Sequence, residues 1–135
     1  MADRPDQAPA IQPSDVSREF WAATANRKFL LQQDKSPASL FPPRPRHVTG
    51  GKPPSFTEAS GTGVLVAVTL CHVPARGFKD KAPYLVGIVK LDEGPRVFAT
   101  LVNAQASAIR PGQKMRMVWL DGDDKTRRYA FEPVP

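Results

Sequence analysis

Residues 60–73 read S-G-T-G-V-L-V-A-V-T-L-C-H-V. Val64, Val66, Val68 and Thr69 are branched at Cβ, which stiffens χ1 and favours a pleated chain over a helix. Apolar side chains occupy both alternating sets: Val64, Val66, Val68 and Leu70 in one, Leu65, Ala67, Cys71 and Val73 in the other. Such a strand is either covered on both faces or bent so that each half covers a different side. Gly61 and Gly63 at its start permit a kink of the kind a long barrel strand needs. The pattern suits the first strand of a small barrel, and equally the central strand of any β-sheet.

Four further strands follow. Residues 72–83 form a long loop carrying Arg76, Lys79 and Lys81 against Asp80. Residues 84–91 make a second strand, Asp92-Glu93-Gly94-Pro95 a tight turn, and residues 96–102 a third strand that closes a hairpin. Residues 103–110 are a short connection with room for one helical turn, and Pro111-Gly112 marks another turn. Residues 114–120 alternate cleanly, with Met115, Met117 and Trp119 on one face and Lys114, Arg116 and Val118 on the other. Asp121-Gly122-Asp123-Asp124 turns the chain, and residues 127–131 return as a fifth strand. Five strands with a short link between the third and fourth is the order expected of an OB-fold, a small Greek-key barrel.

Upstream of the barrel the composition changes. Residues 1–13 are rich in Ala, Pro, Gln and Asp and are expected to be a disordered tail. Residues 14–27 form the one good helix candidate. Ser14 or Asp15 can cap it, Glu19 sits in its early turns, and Val16, Phe20 and Ala23 share a stripe beside Trp21. That stripe fits a helix packed on its own domain or one that docks on a partner chain, since Phe20 and Trp21 are much aromatic surface for a short helix. Residues 29–33 are a short strand. Residues 34–55 are a proline-rich basic arm around Phe41-Pro42-Pro43-Arg44-Pro45-Arg46, stiff, extended and poorly hydrogen-bonded to itself. The predicted divisions are thus a tail (1–13), a helix and arm (14–55) and a barrel (56–135).

The 135 residues suffice for one modest core. No apolar run approaches the roughly 20 residues that a membrane span needs, and the N-terminus lacks the apolar segment of a secretory signal. The single cysteine, Cys71, lies in the apolar strand and reads as a small buried hydrophobe; a cytoplasmic setting fits. The net charge of +6 admits nucleic acid, a nucleotide-bearing coenzyme or an acidic protein surface.

No catalytic constellation is visible. There are two histidines, His47 and His72, neither beside paired carboxylates in a recognisable motif. Nothing resembles a phosphate loop, a dinucleotide fingerprint or a nucleophile elbow. Gly61-Thr62-Gly63 is too short to cradle phosphate, and Asp121, Asp123 and Asp124 lack the spacing of a calcium loop. Single-strand nucleic-acid binding is the alternative that the barrel and the charge invite. Against it, the second and third strands offer only Tyr84 and Phe98, which also suit a core, and the three aspartates after strand four would repel a phosphate backbone. Arg44, Arg46, Arg76, Lys79 and Lys81 are the candidate phosphate or partner contacts, with the arm and the 72–83 loop meeting near one phosphorylated ligand. His72, where the apolar strand meets the loop, either orients the loop or faces an acyl channel.

The chain resembles a family of small OB-fold proteins that carry an N-terminal rubredoxin-like zinc ribbon. The matching features run in order: Phe20-Trp21, Phe29-Leu30-Leu31-Gln32, Phe41-Pro42-Pro43-Arg44, Ser60-Gly61-Thr62-Gly63, Thr69 to His72, Pro83-Tyr84-Leu85-Val86, Val89-Lys90-Leu91-Asp92-Glu93-Gly94 and Arg110-Pro111-Gly112. The ribbon's two Cys-x-x-Cys pairs are missing. Gln33 and Ser36, then His47 and Gly50, stand in their place, so no ribbon zinc is expected, and the arm would be held by its prolines, Phe41 and a partner's surface. The resemblance implies a non-catalytic subunit that binds a thiolase-like or lyase-like enzyme and helps form its acyl-CoA site. It implies no cofactor bound by the chain itself and a CoA thioester at the shared interface; the lack of a long apolar run leaves no membrane partner expected.

Overall fold

The computed structural model describes residues 10–33, 39–45, 55–122 and 125–135. Much of the expected N-terminal tail, together with Arg46, His47 and Asp123-Asp124, lies outside these. Among the described residues, no helix is long and apolar enough to cross a membrane.

The apolar run at residues 60–73 becomes a ten-residue strand, labelled β4, Thr62–Cys71. It begins with Gly63 and Leu65 turned into the core. Its register against the next strand then shifts between Leu65 and Ala67, so that Val66 is the extra residue of a bulge. Beyond the bulge the other alternating set, Val68 and Leu70, packs on the core, and Ala67 and Thr69 are exposed. Two apolar faces on one strand are therefore resolved by a parity switch, with each half burying a different set. The bend sits at this bulge rather than at the glycines.

The remaining barrel strands are β5 (Tyr84–Leu91), β6 (Arg96–Leu101), β7 (Lys114–Gly122) and β8 (Arg127–Pro133). They close in the order β4-β5-β6-β8-β7, with β7 paired back to β4. β6 and β8 run parallel, Leu101 facing Phe131, and the other pairs are antiparallel. This is the five-stranded Greek-key barrel of an OB-fold. Leu65, Val89, Leu91, Val97, Leu101, Met115 and Phe131 fill it. Met115 is fully buried and Met117 and Trp119 pack beside it, the face that alternation predicts for β7. The residues entering β4 are tied to the β5–β6 turn: the Ser60 N–H donates to Glu93 Oε2 at 2.9 Å, and the Thr62 hydroxyl donates to the Asp92 carboxylate.

Helix α1, Arg18–Thr24, is shorter than the stretch the sequence suggests. Ser14 and Ser17 bond to one another in a turn before it instead of capping it. It ends in a Schellman arrangement, with the Lys28 N–H on Ala23 O at 3.1 Å, the Arg27 N–H on Thr24 O at 2.9 Å, and Arg27 at φ 58°.

Residues 39–40 of the proline-rich arm pair as a strand, where the sequence predicts a chain poorly hydrogen-bonded to itself. β1 (Leu30–Gln33), β2 (Ser39–Leu40) and β3 (Ser55–Glu58) form a three-stranded antiparallel sheet, ordered β2-β1-β3. β2 and β3 are proline-free pieces, so each retains the N–H groups a ladder needs. The sheet runs to Glu58, and the first barrel strand begins at Thr62.

Helix, small sheet and barrel share one core. Phe20 is 2% exposed and lies 5.0 Å from Phe29 and 6.5 Å from Tyr129, edge-on to both. Thr24 is fully buried. Its hydroxyl donates to Trp21 O at 2.5 Å and accepts the Arg127 N–H at 3.0 Å, which fastens α1 to β8. The expectation that Phe20 contacts a partner is therefore corrected: the ring is consumed by its own domain and offers a partner no surface.

Candidate functional site

Period-2 alternation along β6 buries Val97, Ala99 and Leu101 and turns Phe98 outward, where it is 66% exposed. Phe98 is thus surface and not core. It stands in a cleft of about 520 Å³ between α1, the barrel wall and the 72–83 loop, lined by Trp21, Phe78, Lys81, Phe98, Thr100, Leu120, Asp121, Arg128 and Tyr129 among others.

The loop is built around an aromatic pair. Phe78 lies 5.7 Å from Tyr84, whose hydroxyl accepts the Ala75 N–H at 3.3 Å. A short 3-10 turn, Lys79–Lys81, then brings Lys81 Nζ to 5.3 Å over the Phe78 ring, a cation–π contact at the rim. Tyr129 forms the floor beside Trp119 and Phe29. Burial pushes its phenol up to about 12, so it is neutral across the physiological range. The cleft therefore offers three aromatic rings near its mouth, two cations and one carboxylate.

The sequence candidates fall into separate places. Trp21 and Lys81 meet in this cleft. Arg76, Lys79 and His72 are exposed on the adjoining loop. Arg44 lines a different, shallower cleft with Asp15, Glu19, Gln32 and Phe56, and the two clefts share no residue. The expected meeting of arm and loop around one phosphorylated ligand is corrected for Arg44, whose neighbours include two carboxylates. Phe41 is half-buried against Phe20 and Phe29, at 5.4 and 5.0 Å. Arg46 lies outside the described residues. Phe78, Phe98, Asp121, Arg128 and Tyr129 were not among the candidates. Of these, Phe98 was findable: it sits between Val97 and Ala99, so alternation alone turns it away from the core.

The arm has a clasp that no sequence motif marks. Gln32 is 2% exposed; its Nε2 donates to Arg44 O at 2.8 Å and its Oε1 accepts the Arg44 N–H at 2.7 Å. One side-chain amide thereby satisfies both backbone groups of a residue flanked by prolines. Gln32→Leu is expected to leave these groups without their partner, at a cost of about 1–3 kcal/mol. A thermal melt would show the loss and limited proteolysis would show earlier cutting near residue 44; unchanged behaviour in both would refute the clasp.

The arm carries no cysteine. The chain has one cysteine, Cys71, and it lies on β4 in the barrel. The amide at position 32 already does the cross-linking at the end of β1. Among the described residues, no group of three or more His, Cys, Asp or Glu suits a metal ion.

Comparison with known proteins places these features in a family. Residues 56–120 match the model of the ChsH2 C-terminal OB-fold domain. A DUF35 domain-containing scaffold protein of Pyrococcus furiosus is 34% identical over 108 residues, 79% of this chain and 79% of that one. A protein of the same description from Methanothermobacter thermautotrophicus is 35% identical over 80 residues, 56% of this chain. That match spans 60% of the relative's length, and a third such protein is matched over 59% of its own. In three dimensions, a chain of the structure titled Ltp2-ChsH2(DUF35) aldolase superposes with a TM-score of 0.80 at 26% identity, over 93% of this chain and 98% of that chain. With its five-stranded barrel, its preceding three-stranded sheet and these matches, the chain belongs to the DUF35 domain-containing scaffold protein family.

Proposed function

We propose that the chain is a non-catalytic accessory subunit that binds a thiolase-like or lyase-like enzyme and helps form that enzyme's acyl-CoA site, in lipid, steroid or aromatic acyl-CoA metabolism. The observation that carries this reading is the superposition over nearly the full length of both chains on a protein whose title names an aldolase assembly. The name shared by the curated relatives, scaffold protein, agrees with it. So does the chemistry of the surface. His72 is exposed at the end of β4, and the Cys71 thiol is engaged with Val73 O at 3.1 Å. The bond-breaking groups belong, in this reading, to the partner. The arm works without metal and the complex forms in the cytoplasm.

Co-expression with a thiolase-like enzyme, followed by gel filtration, tests the proposal. The expected result is a single peak holding both chains and a partner whose acyl-CoA turnover falls when the small subunit is withheld. Separate elution with unchanged partner turnover would sink it, as would acyl-CoA turnover by this chain alone.

A further inference from the structure

We infer that the outer wall at one end of the barrel, where Lys114, Val64, Lys90 and Arg96 stand side by side on four neighbouring strands, docks an acidic, extended segment of another protein. The inference goes beyond the accessory reading above, which names no surface, and its test needs no enzyme.

Strand register builds the row. Val64 of β4 pairs with Lys114 of β7 on one side and with Lys90 of β5 on the other, and Lys90 pairs with Arg96 of β6. Side chains at paired positions project to the same face, and all four are exposed. Val134, whose N–H donates to Lys114 O, extends the row at its β7 end. Val64 and Val134 are two of the exposed large apolar residues, at 41% and 40%. The row therefore reads apolar, cation, apolar, cation, cation, with no carboxylate in it.

The chain does not meet these charges itself. Among the described residues, no ion pair or side-chain hydrogen bond involves Lys90, Arg96 or Lys114. The carboxylates beside the row are engaged elsewhere. Asp92 accepts the Thr62 hydroxyl, Glu93 accepts the Ser60 N–H and hydroxyl, and Glu132 holds Arg116 and Asn103. Lys90 and Arg96 also oppose one another closely. The Leu91 N–H bonds to Pro95 O, so the next pair along, Lys90 with Arg96, is a non-hydrogen-bonded one, in which side chains lie closest. Like charges directly opposite destabilise a sheet. The free chain thus carries a repulsion that a bound anion relieves.

A protein segment fits this row better than a nucleic acid or a lipid surface. No ring in it offers a base a stacking platform, and the outside of a barrel is convex where strand binders use a groove. Two valines are too little apolar surface to hold a bilayer. They do suit small side chains of a peptide, with the lysine stems lying along them. Strands lie about 4.8 Å apart and side chains fan out from a convex wall, so the row matches every second residue of an extended chain, about 6.6 Å apart.

That spacing specifies the probe: a fluorescent peptide capped at both ends, Val-Ser-Glu-Ser-Val-Ser-Glu-Ser-Glu, titrated into the full chain by polarisation. The expected result is saturable binding that weakens as salt rises. The same peptide with Gln for Glu should bind about 10-fold more weakly or worse. Arg96→Glu should weaken binding of the acidic peptide about fivefold or more, since it replaces an attraction with a repulsion. The same substitution should raise the Tm of the free chain by about 1–4 °C, because Glu opposite Lys90 removes the like-charge pair. Lys28→Glu changes the net charge equally at an exposed position outside the row and should leave affinity within about twofold. Absence of saturable binding, unchanged affinity of the Arg96→Glu chain, or a lower Tm for it would each overturn the proposal. Tighter binding of an adenine octanucleotide or of phosphatidylserine vesicles, lost in Arg96→Glu, would overturn it in favour of a phosphate ligand.

Discussion

Gly63→Ala is expected to lower the stability of the chain by about 3–5 kcal/mol, enough to make it partly insoluble on expression. Gly63 sits where the barrel closes. It pairs with Leu91 of β5 on one side and with Met115 of β7 on the other. A Cβ there would lie 2.3 Å from the Lys90 carbonyl oxygen and 2.9 Å from both the Lys90 carbonyl carbon and Val89 Cγ1. Two of these three atoms are backbone, and the strand that carries them is pinned on its far side by pairing of Lys90 with Arg96. No rotamer change relieves the clash, so β4 and β5 must part. Overpacking costs about 1–3 kcal/mol and occasionally more. Each ladder hydrogen bond loosened by the separation adds about 0.5–1.5 kcal/mol. For a chain of this size, that is a drop in Tm of roughly 10 °C or more. Thermal denaturation followed by circular dichroism measures it, with Val64→Ala as a neighbouring control on the exposed side of the same strand. A Gly63→Ala chain that melts like the parent would show that the strands are not held this close.

The second large effect is at Phe20. Phe20→Ala should cost about 3–5 kcal/mol, the usual range for emptying a buried aromatic site. The ring is 2% exposed and has four aromatic neighbours: Trp21 and Phe29 at 5.0 Å, Phe41 at 5.4 Å and Tyr129 at 6.5 Å. These come from the helix, the lead-in to the small sheet, the arm and the barrel, so one truncation loosens all four junctions. The loss should appear in the isolated chain as a lower Tm and a weaker near-ultraviolet signal. Hydrogen exchange should quicken in β1 and α1 before it quickens in β5 and β6, whose own core residues Val89 and Val97 are untouched. This measurement also separates the two readings the helix sequence allows. A partner-facing Phe20 would leave the isolated chain as stable as before.

Much of the barrel was legible. The β-branched run at residues 64–69, the turn at residues 92–95 and the alternation of Met115, Met117 and Trp119 each place a strand where one is found. The candidate site was legible only in part. Trp21 and Lys81 line one cleft, but Arg44, grouped with Lys81 as a phosphate or partner contact, lines a separate cleft with Asp15 and Glu19. Phe20, which the sequence leaves open between its own domain and a partner, is buried, and Phe98, which also suits a core, is exposed.

By itself the sequence determined the five barrel strands, their order and the absence of a ribbon cysteine set. Those follow from sterics and alternation acting between residues a few positions apart. Tertiary structure decided what each long-range neighbour would be. The bulge at Val66 chose which half of β4 buries which set, because β5 could pair only in one register there. Thr24 found Arg127 and Phe20 found Tyr129 across more than a hundred residues, and Gln32 found Arg44 across 12. Burial is a property of what folds against a side chain, and no window along the chain contains that.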